Sequence, residues 1–309
     1  MRVLDADAVR AATPWPELIA AIAGALVEDA VTAPERHVHP VGLPGGGTGA
    51  FLLMPAWADT EMIGVKAVTY FPSNAGTDVP TVNAAYLAFD GGTGQVLAVL
   101  DGDELTARRT AAISALAADR LARPDAQHLL VVGTGALAPN MARAHASVRP
   151  LARIEVWGRR PEAAASVAQT LRAEGLPAEA SDNLDASVGR ADIVSCVTGA
   201  TEPLVRGGLL SEGAHLDLVG SFQPDMRESD DEAAVRAAIF VDTLAGAVMS
   251  GDLAQPLADG IITEASIAAD LQALATGHHP GRTSADEITL FKSAGFAAAD
   301  LAAARLALR

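Results

Sequence analysis

The chain has 309 residues, half of them hydrophobic, so two domains with substantial cores are within reach. Its net charge of −16 argues against a nucleic-acid partner, which needs clustered positive charge, and any anionic ligand must be held locally against the overall field. One cysteine, Cys196, excludes an intrachain disulfide framework and a Cys-rich metal site. Apolar residues recur at helical spacing from Leu18 to Val27, with Pro16 tolerable in a first turn. Residues 51–56, 63–70, 83–89 and 95–100 read as strands between Pro, Gly, Asn and Asp turns, and "GGTGQ" as a hairpin connection. "LTARRTAAISALAADRLA" is a helix ended by the "RPDA" break at 123–126.

At Leu129 the texture changes. "LLVVG" is a continuous apolar strand of the kind found where both faces of a parallel sheet are covered. Strands and helices then alternate through "RIEVWG", a helix at 161–174, "DIVSCVT", "AHLDLVG", a helix at 230–237 and "AIFVD". That rhythm predicts an α/β fold with a doubly wound, Rossmann-type parallel sheet. The final segment, "SADEITLFKSAGFAAADLAAARLAL", reads as helical with a break near Ser293–Gly295, and is long enough to return to the first domain. "RESDDEA" reads as a solvated helix start, where acids suit the dipole. The start of the chain shows no basic stretch leading into an apolar run, and no apolar segment reaches about 18 residues free of charge. The expectation is a soluble, cytoplasmic protein with no membrane partner.

"LLVVGTGALAPN" places Gly133, Gly135 and Ala138 as G-x-G-x-x-A between a strand and a helix. The first glycine permits the tight turn, the second lets the backbone approach a pyrophosphate, and the small third residue allows close helix–strand packing. The helix N-terminus offers free N–H groups to the anion. After "RIEVWG", an NAD site usually offers a carboxylate to the ribose 2′-hydroxyl. Here the chain reads Gly158-Arg159-Arg160 with no acid before Glu162, which favours NADPH over NADH through Arg159.

The chain holds 22 basic residues, yet only Lys66 and Lys292 are lysines. Lys66 lies within "GVKAVTYF", a strand-like apolar stretch. Arg36 lies in "APERHVHP" and Arg109 in "LTARRTAA", read as a helix start, where a cation opposes the dipole and so calls for a nearby anion. Each of the three also has a plain surface reading. His37 and His39 read as turn or surface residues, and no metal-ligand pattern is completed.

"GVKAVTYFPSN", "LTARRTAAISALAA", "VVGTGALA", "GSFQPDMRE" and "EITLFKSAG", in this order from about Arg36 to Asp300, resemble the ornithine cyclodeaminase/mu-crystallin family. The resemblance implies a homodimer. Each subunit would have a Rossmann domain (123–282) and an α+β substrate-binding and dimerisation domain (1–122) completed by 283–309. It implies a nicotinamide cofactor bordered by Thr110, Gly133, Thr134, Gly135, Ala136, Ala138, Arg159, Thr198, Val219 and Ser293, and no metal. It implies a substrate α-carboxylate held by Arg36, Lys66 and Arg109, with Lys66 as a candidate catalytic residue and Phe222 beside the substrate. Cyclodeaminases and alanine dehydrogenases of the family carry an acid where this chain has Phe222, and an apolar ring neither accepts a proton nor orients water. The form is similar to the Δ1-pyrroline-2-carboxylate and Δ1-piperideine-2-carboxylate (ketimine) reductases. Cyclodeaminase, amino acid dehydrogenase and cofactor-dependent binding protein stay as alternatives.

Overall fold

The computed structural model describes residues 1–28 and 31–309. The chain forms two compact units, Met1–Arg109 with Phe296–Arg309, and Thr110–Gly295. In order come β1 (Arg2–Leu4), α1 (Ala6–Ala12), α2 (Trp15–Val27), β2 (Val31–Thr32), β3 (His37–Gly42), β4 (Thr48–Ala58), β5 (Met62–Tyr70), β6 (Val82–Asp90), β7 (Val96–Asp101) and α3 (Gly102–Leu121). Then follow β8 (His128–Val132), α4 (Ala138–Ala146), β9 (Arg153–Trp157), α5 (Pro161–Ala173), β10 (Ala178–Ser181), α6 (Leu184–Val188), β11 (Ile193–Cys196) and β12 (His215–Leu218). The chain closes with α7 (Asp231–Arg236), β13 (Ala238–Val241), α8 (Leu244–Ala247), α9 (Gly251–Ala258), β14 (Ile267–Asp270), α10 (Leu271–Thr276), β15 (Thr289–Lys292) and α11 (Ala297–Ala307).

The first unit is built on a sheet in the order β1-β7-β6-β5-β4-β2, with β3 also paired to β4. The β4–β5, β5–β6 and β6–β7 pairs are antiparallel; short turns join β4 to β5 and β6 to β7, and residues 71–81 join β5 to β6. In the β6–β7 turn Asp90 Oδ1 accepts from the Gly92 and Thr93 amides and the Thr93 hydroxyl. Alternation sends Met54, Ala56, Ala58, Met62, Gly64, Lys66, Tyr86 and Ala88 to one buried face. Helix α11 packs on that face against β4, β5 and α2. Nine of its eleven residues are buried, mostly alanines, so it is an interior helix that approaches its neighbours closely. The opposite face carries Trp57, Ile63, Val65, Leu87 and Phe89, which are at most partly buried.

The second unit is an eight-stranded, all-parallel sheet in the order β10-β9-β8-β11-β12-β15-β13-β14. This is the doubly wound α/β fold expected from the alternating pattern. Strand order reverses at β8, whose neighbours are β9 and β11, and such reversals are where these sheets bind ligands.

Two expectations need correction. "TLFK", read as part of a helix, is strand β15 in the middle of the second unit's sheet, so residues 283–295 do not join the first unit. A four-residue run in which every residue is buried, Thr289 and Lys292 included, has no period by which to tell strand from helix. Helix α3 begins at Gly102, not in "LTARR": Asp101 Oδ1 accepts from the Glu104 amide at 2.8 Å, and Asp103 and Glu104 occupy the first turn. Arg109 therefore lies beyond the first turn, where the dipole argument does not reach.

Candidate functional site

In the first unit Lys66 projects from the buried face of β5, opposite Tyr86 on β6 and Met54 on β4. It is 2% exposed, and its Nζ donates to Asp300 Oδ1 at 2.9 Å. Arg109 Nε donates to the same oxygen at 2.8 Å. Asp300 stands in the first turn of α11 and is fully buried. The anion that Arg109 called for is thus supplied in part by the protein itself. The other carboxylate oxygen, Oδ2, and the Tyr86 hydroxyl are buried without a hydrogen-bond partner among the described residues. Tyr86 reaches this position because β5 carries Gly64, where a Cβ would stand 1.9 Å from the hydroxyl.

Two cations face one carboxylate, so the cluster holds an excess positive charge out of water. Burial first, then the charge of Arg109, pushes the Lys66 ammonium down to about 8, against the pull of Asp300; Arg36 adds a smaller push in the same direction. Burial alone would raise the Asp300 carboxyl, but Arg109 and Lys66 outweigh it and hold it below its ordinary range. Burial, with the Asp300 charge behind it, drives the Tyr86 phenol well up, so it is a neutral donor at any ordinary pH. An anionic group reaching Lys66 and Arg109 would balance the excess.

In the second unit the carboxyl ends of five adjacent strands carry the expected cofactor residues. After β8, Gly133 has φ +128°, and a Cβ there would come within 2.7 Å of the Val197 carbonyl. Thr134, Gly135 and Ala136 follow, and Gly135 is exposed with nothing within 4 Å of where its Cβ would stand. Helix α4 then opens at Ala138 with no side chain capping its N-terminus. An open glycine backbone leading into an uncapped helix suits a pyrophosphate. Arg159 is exposed just past β9, Thr198 lies past β11, Val219 past β12 and Ser293 past β15. Thr110 is buried in α3 of the same unit. Phe222 is 46% exposed on the turn after β12. Cys196 is buried, and burial followed by the charges of Glu228 and Asp252 raises its thiol well up, so it is no nucleophile.

Asp300 escaped the sequence reading. Its signal was a lone acid inside "AAADLAAA", a charge that a buried alanine helix tolerates only with a partner. "RESDDEA" also departs from a solvated start. Asp230 does cap α7, accepting from the Ala233 amide at 3.1 Å. Glu228 is instead fully buried, accepting from the Thr198 amide and hydroxyl and the Gly220 amide at 2.6–2.8 Å. His37 and His39 lie on exposed strand β3, with ring centroids 6.5 Å apart. Among the described residues no helix is long and apolar enough to cross a membrane.

Residues 2–308 match the family described as ornithine cyclodeaminase/mu-crystallin. A Delta(1)-pyrroline-2-carboxylate reductase of Paracoccus denitrificans is 42% identical over 276 residues, covering 87% of this chain and 86% of its own. The structure of the Thermococcus litoralis Delta(1)-pyrroline-2-carboxylate reductase, in complex with NADH and L-proline, is similar with a TM-score of 0.93 at 32% identity, covering 100% of this chain and 96% of that one. An archaeal alanine dehydrogenase dimer with bound NAD gives a TM-score of 0.91 at 26% identity, over 100% of this chain and 95% of the other.

Proposed function

The chain belongs to the ornithine cyclodeaminase/mu-crystallin family, and from that premise we propose that it is a ketimine reductase. It reduces Δ1-pyrroline-2-carboxylate to L-proline, Δ1-piperideine-2-carboxylate to L-pipecolate, or both, with NADPH preferred to NADH. The observation that carries this reading is the buried charge excess, Lys66 and Arg109 against Asp300 alone. A cyclic imino acid carries one carboxylate, which restores the balance. Arg36 adds its charge to that clamp. When bound, the reduced nicotinamide supplies the hydride to the imine carbon.

The remaining work falls to the chain's own side chains. Lys66 and Arg109 fix the carboxylate and so the imine carbon, and positioning of this kind is worth on the order of 7–11 kcal/mol at best. The Lys66 ammonium, held near 8, is acidic enough to share a proton with the substrate nitrogen near neutral pH. Phe222 offers no group to activate water, which disfavours hydrolytic loss of ammonia. We assign substrate binding and dimerisation to the first unit and dinucleotide binding to the second. The apolar sheet face of Trp57, Val65 and Leu87 supplies the surface on which two copies pair. A cytoplasmic location belongs to the same reading.

A steady-state assay with both cyclic imines and each cofactor, run beside ornithine, tests it. Imine reduction with no ammonia from ornithine is expected. Ammonia release from ornithine with no imine turnover would replace reductase by cyclodeaminase.

A further inference from the structure

Behind the carboxyl edge of the second unit's sheet lies a row of buried carboxylates that the reaction does not consume. Glu228 accepts from the Thr198 amide at 2.6 Å and hydroxyl at 2.8 Å on Oε1, and from the Gly220 amide at 2.7 Å and the Ser221 amide at 3.3 Å on Oε2. One carboxylate thus ties the turn after β11 to the turn after β12. The turns are so close that a Cβ on Gly220 would meet the Thr198 carbonyl at 2.1 Å. Glu228 is held in its own place by Asp252, whose Oδ1 accepts the Glu228 amide at 2.7 Å. Asp252 Oδ2 accepts from Lys292 Nζ at 3.1 Å, and Lys292 also donates to the Ser221 carbonyl at 2.7 Å. Asp242 does the same for the next strand end, accepting from the Ser293 hydroxyl and the Ala294 and Gly295 amides.

We propose that Glu228 is a positioning residue for the dinucleotide. It fixes Thr198 and Val219–Ser221 at the spacing the bound cofactor requires, and it does so only as a carboxylate. This rests on the reading of the second unit as the cofactor-binding unit. All four groups that face Glu228 from these turns are donors. A proton or an amide on either oxygen therefore opposes a donor and loosens one turn from the other. The charged or titratable groups around Glu228 are Asp252 on α9, Lys292 on β15 and Cys196 on β11. Burial and then Asp252 push the Glu228 carboxyl up to about 7, against Lys292 and the Thr198 donors. The clip is accordingly closed above neutrality and opens below it.

The test is Glu228→Gln, with NADH and NADPH dissociation constants measured by nicotinamide fluorescence at pH 8 and pH 6 on the full-length protein, and the thermal midpoint recorded. At pH 8 the variant should bind about tenfold more weakly, an effect on the order of one lost charged hydrogen bond. The native-to-variant ratio should shrink toward one at pH 6, which cancels the titration of the cofactor's own phosphate. If the variant does not fold, the native pH dependence for NADH alone decides, and a flat profile between pH 8 and pH 6 overturns the clip. Native binding with a variant within twofold at pH 8 also overturns it and leaves the cofactor reading intact. Native protein that binds neither dinucleotide overturns both.

Discussion

Lys66→Met tests whether the charge at the site is held there at the expense of stability. A fall from 10.5 to about 8 makes the charged lysine about 3 kcal/mol less favourable, relative to the neutral one, in the fold than in the unfolded chain. Between these values the unfolded chain binds more protons than the folded one, so native stability rises with pH from about 8 to 10.5 and the deficit is fully present below 8. Methionine has similar reach and no charge, and it leaves Asp300 balanced one-to-one with Arg109. Allowing for the lost 2.9 Å hydrogen bond to Asp300, the variant should be more stable than native at pH 7 by about 1–3 kcal/mol. Most of that advantage should vanish by pH 10. Urea unfolding of both proteins at pH 7 and pH 10, at equal protein concentration, measures it. In imine reduction the same variant should lose about ten- to a hundredfold in kcat/KM, because one charged contact to the substrate carboxylate is gone. A variant less stable than native at pH 7, or a difference that does not shrink at pH 10, would refute the reasoning: Lys66 would then be a structural ion pair and not a reserved charge.

Arg159→Ala should narrow the preference for NADPH over NADH by about tenfold by weakening NADPH, and equal use of both cofactors by the native protein would remove its basis; kcat/KM for each cofactor reads it. Gly64→Ala puts a methyl into the Tyr86 ring, whose Cζ lies 2.5 Å from the new Cβ, and should destabilise by about 1–3 kcal/mol in a thermal or urea melt. If two copies pair through the apolar sheet face of the first unit as proposed, Val65→Asp places a carboxylate on it and should shift the protein from dimer to monomer in sedimentation, with the Asp300 cluster on the other face undisturbed.

Much of this was legible because the physics was local. "LLVVGTGALA" has strand, turn and helix written in successive residues, and the structure puts them there. Lys66 stood out because the chain so rarely spends a lysine. The partner of Lys66 was hidden because Asp300 is 234 residues away, and no local pattern says which charge two distant segments will share. Arg109 shows the opposite failure. An anion does stand beside it, but it is the protein's own Asp300, and the helix-start argument fails because α3 begins earlier. Strand β15 was lost between two helix-like stretches because its burial, and not its period, makes it a strand. Glu228 was masked by its neighbours: in a run of four acids within seven residues, nothing marks the one that turns inward.

The two lysines have a shared fate. Lys66 sits against Asp300 and Lys292 against Asp252, and both ammonium groups are buried. The twenty other basic residues are arginines, so the described surface presents no lysine amine. Amine-reactive cross-linkers and labels would therefore find no lysine amine on the surface of the folded chain. A blank result with such a reagent would say nothing about whether two copies assemble. Modification of Lys66 would report access to the substrate clamp, whereas modification of Lys292 would report that its buried cluster had opened. The protein thus carries one built-in reporter of local unfolding, in the second unit.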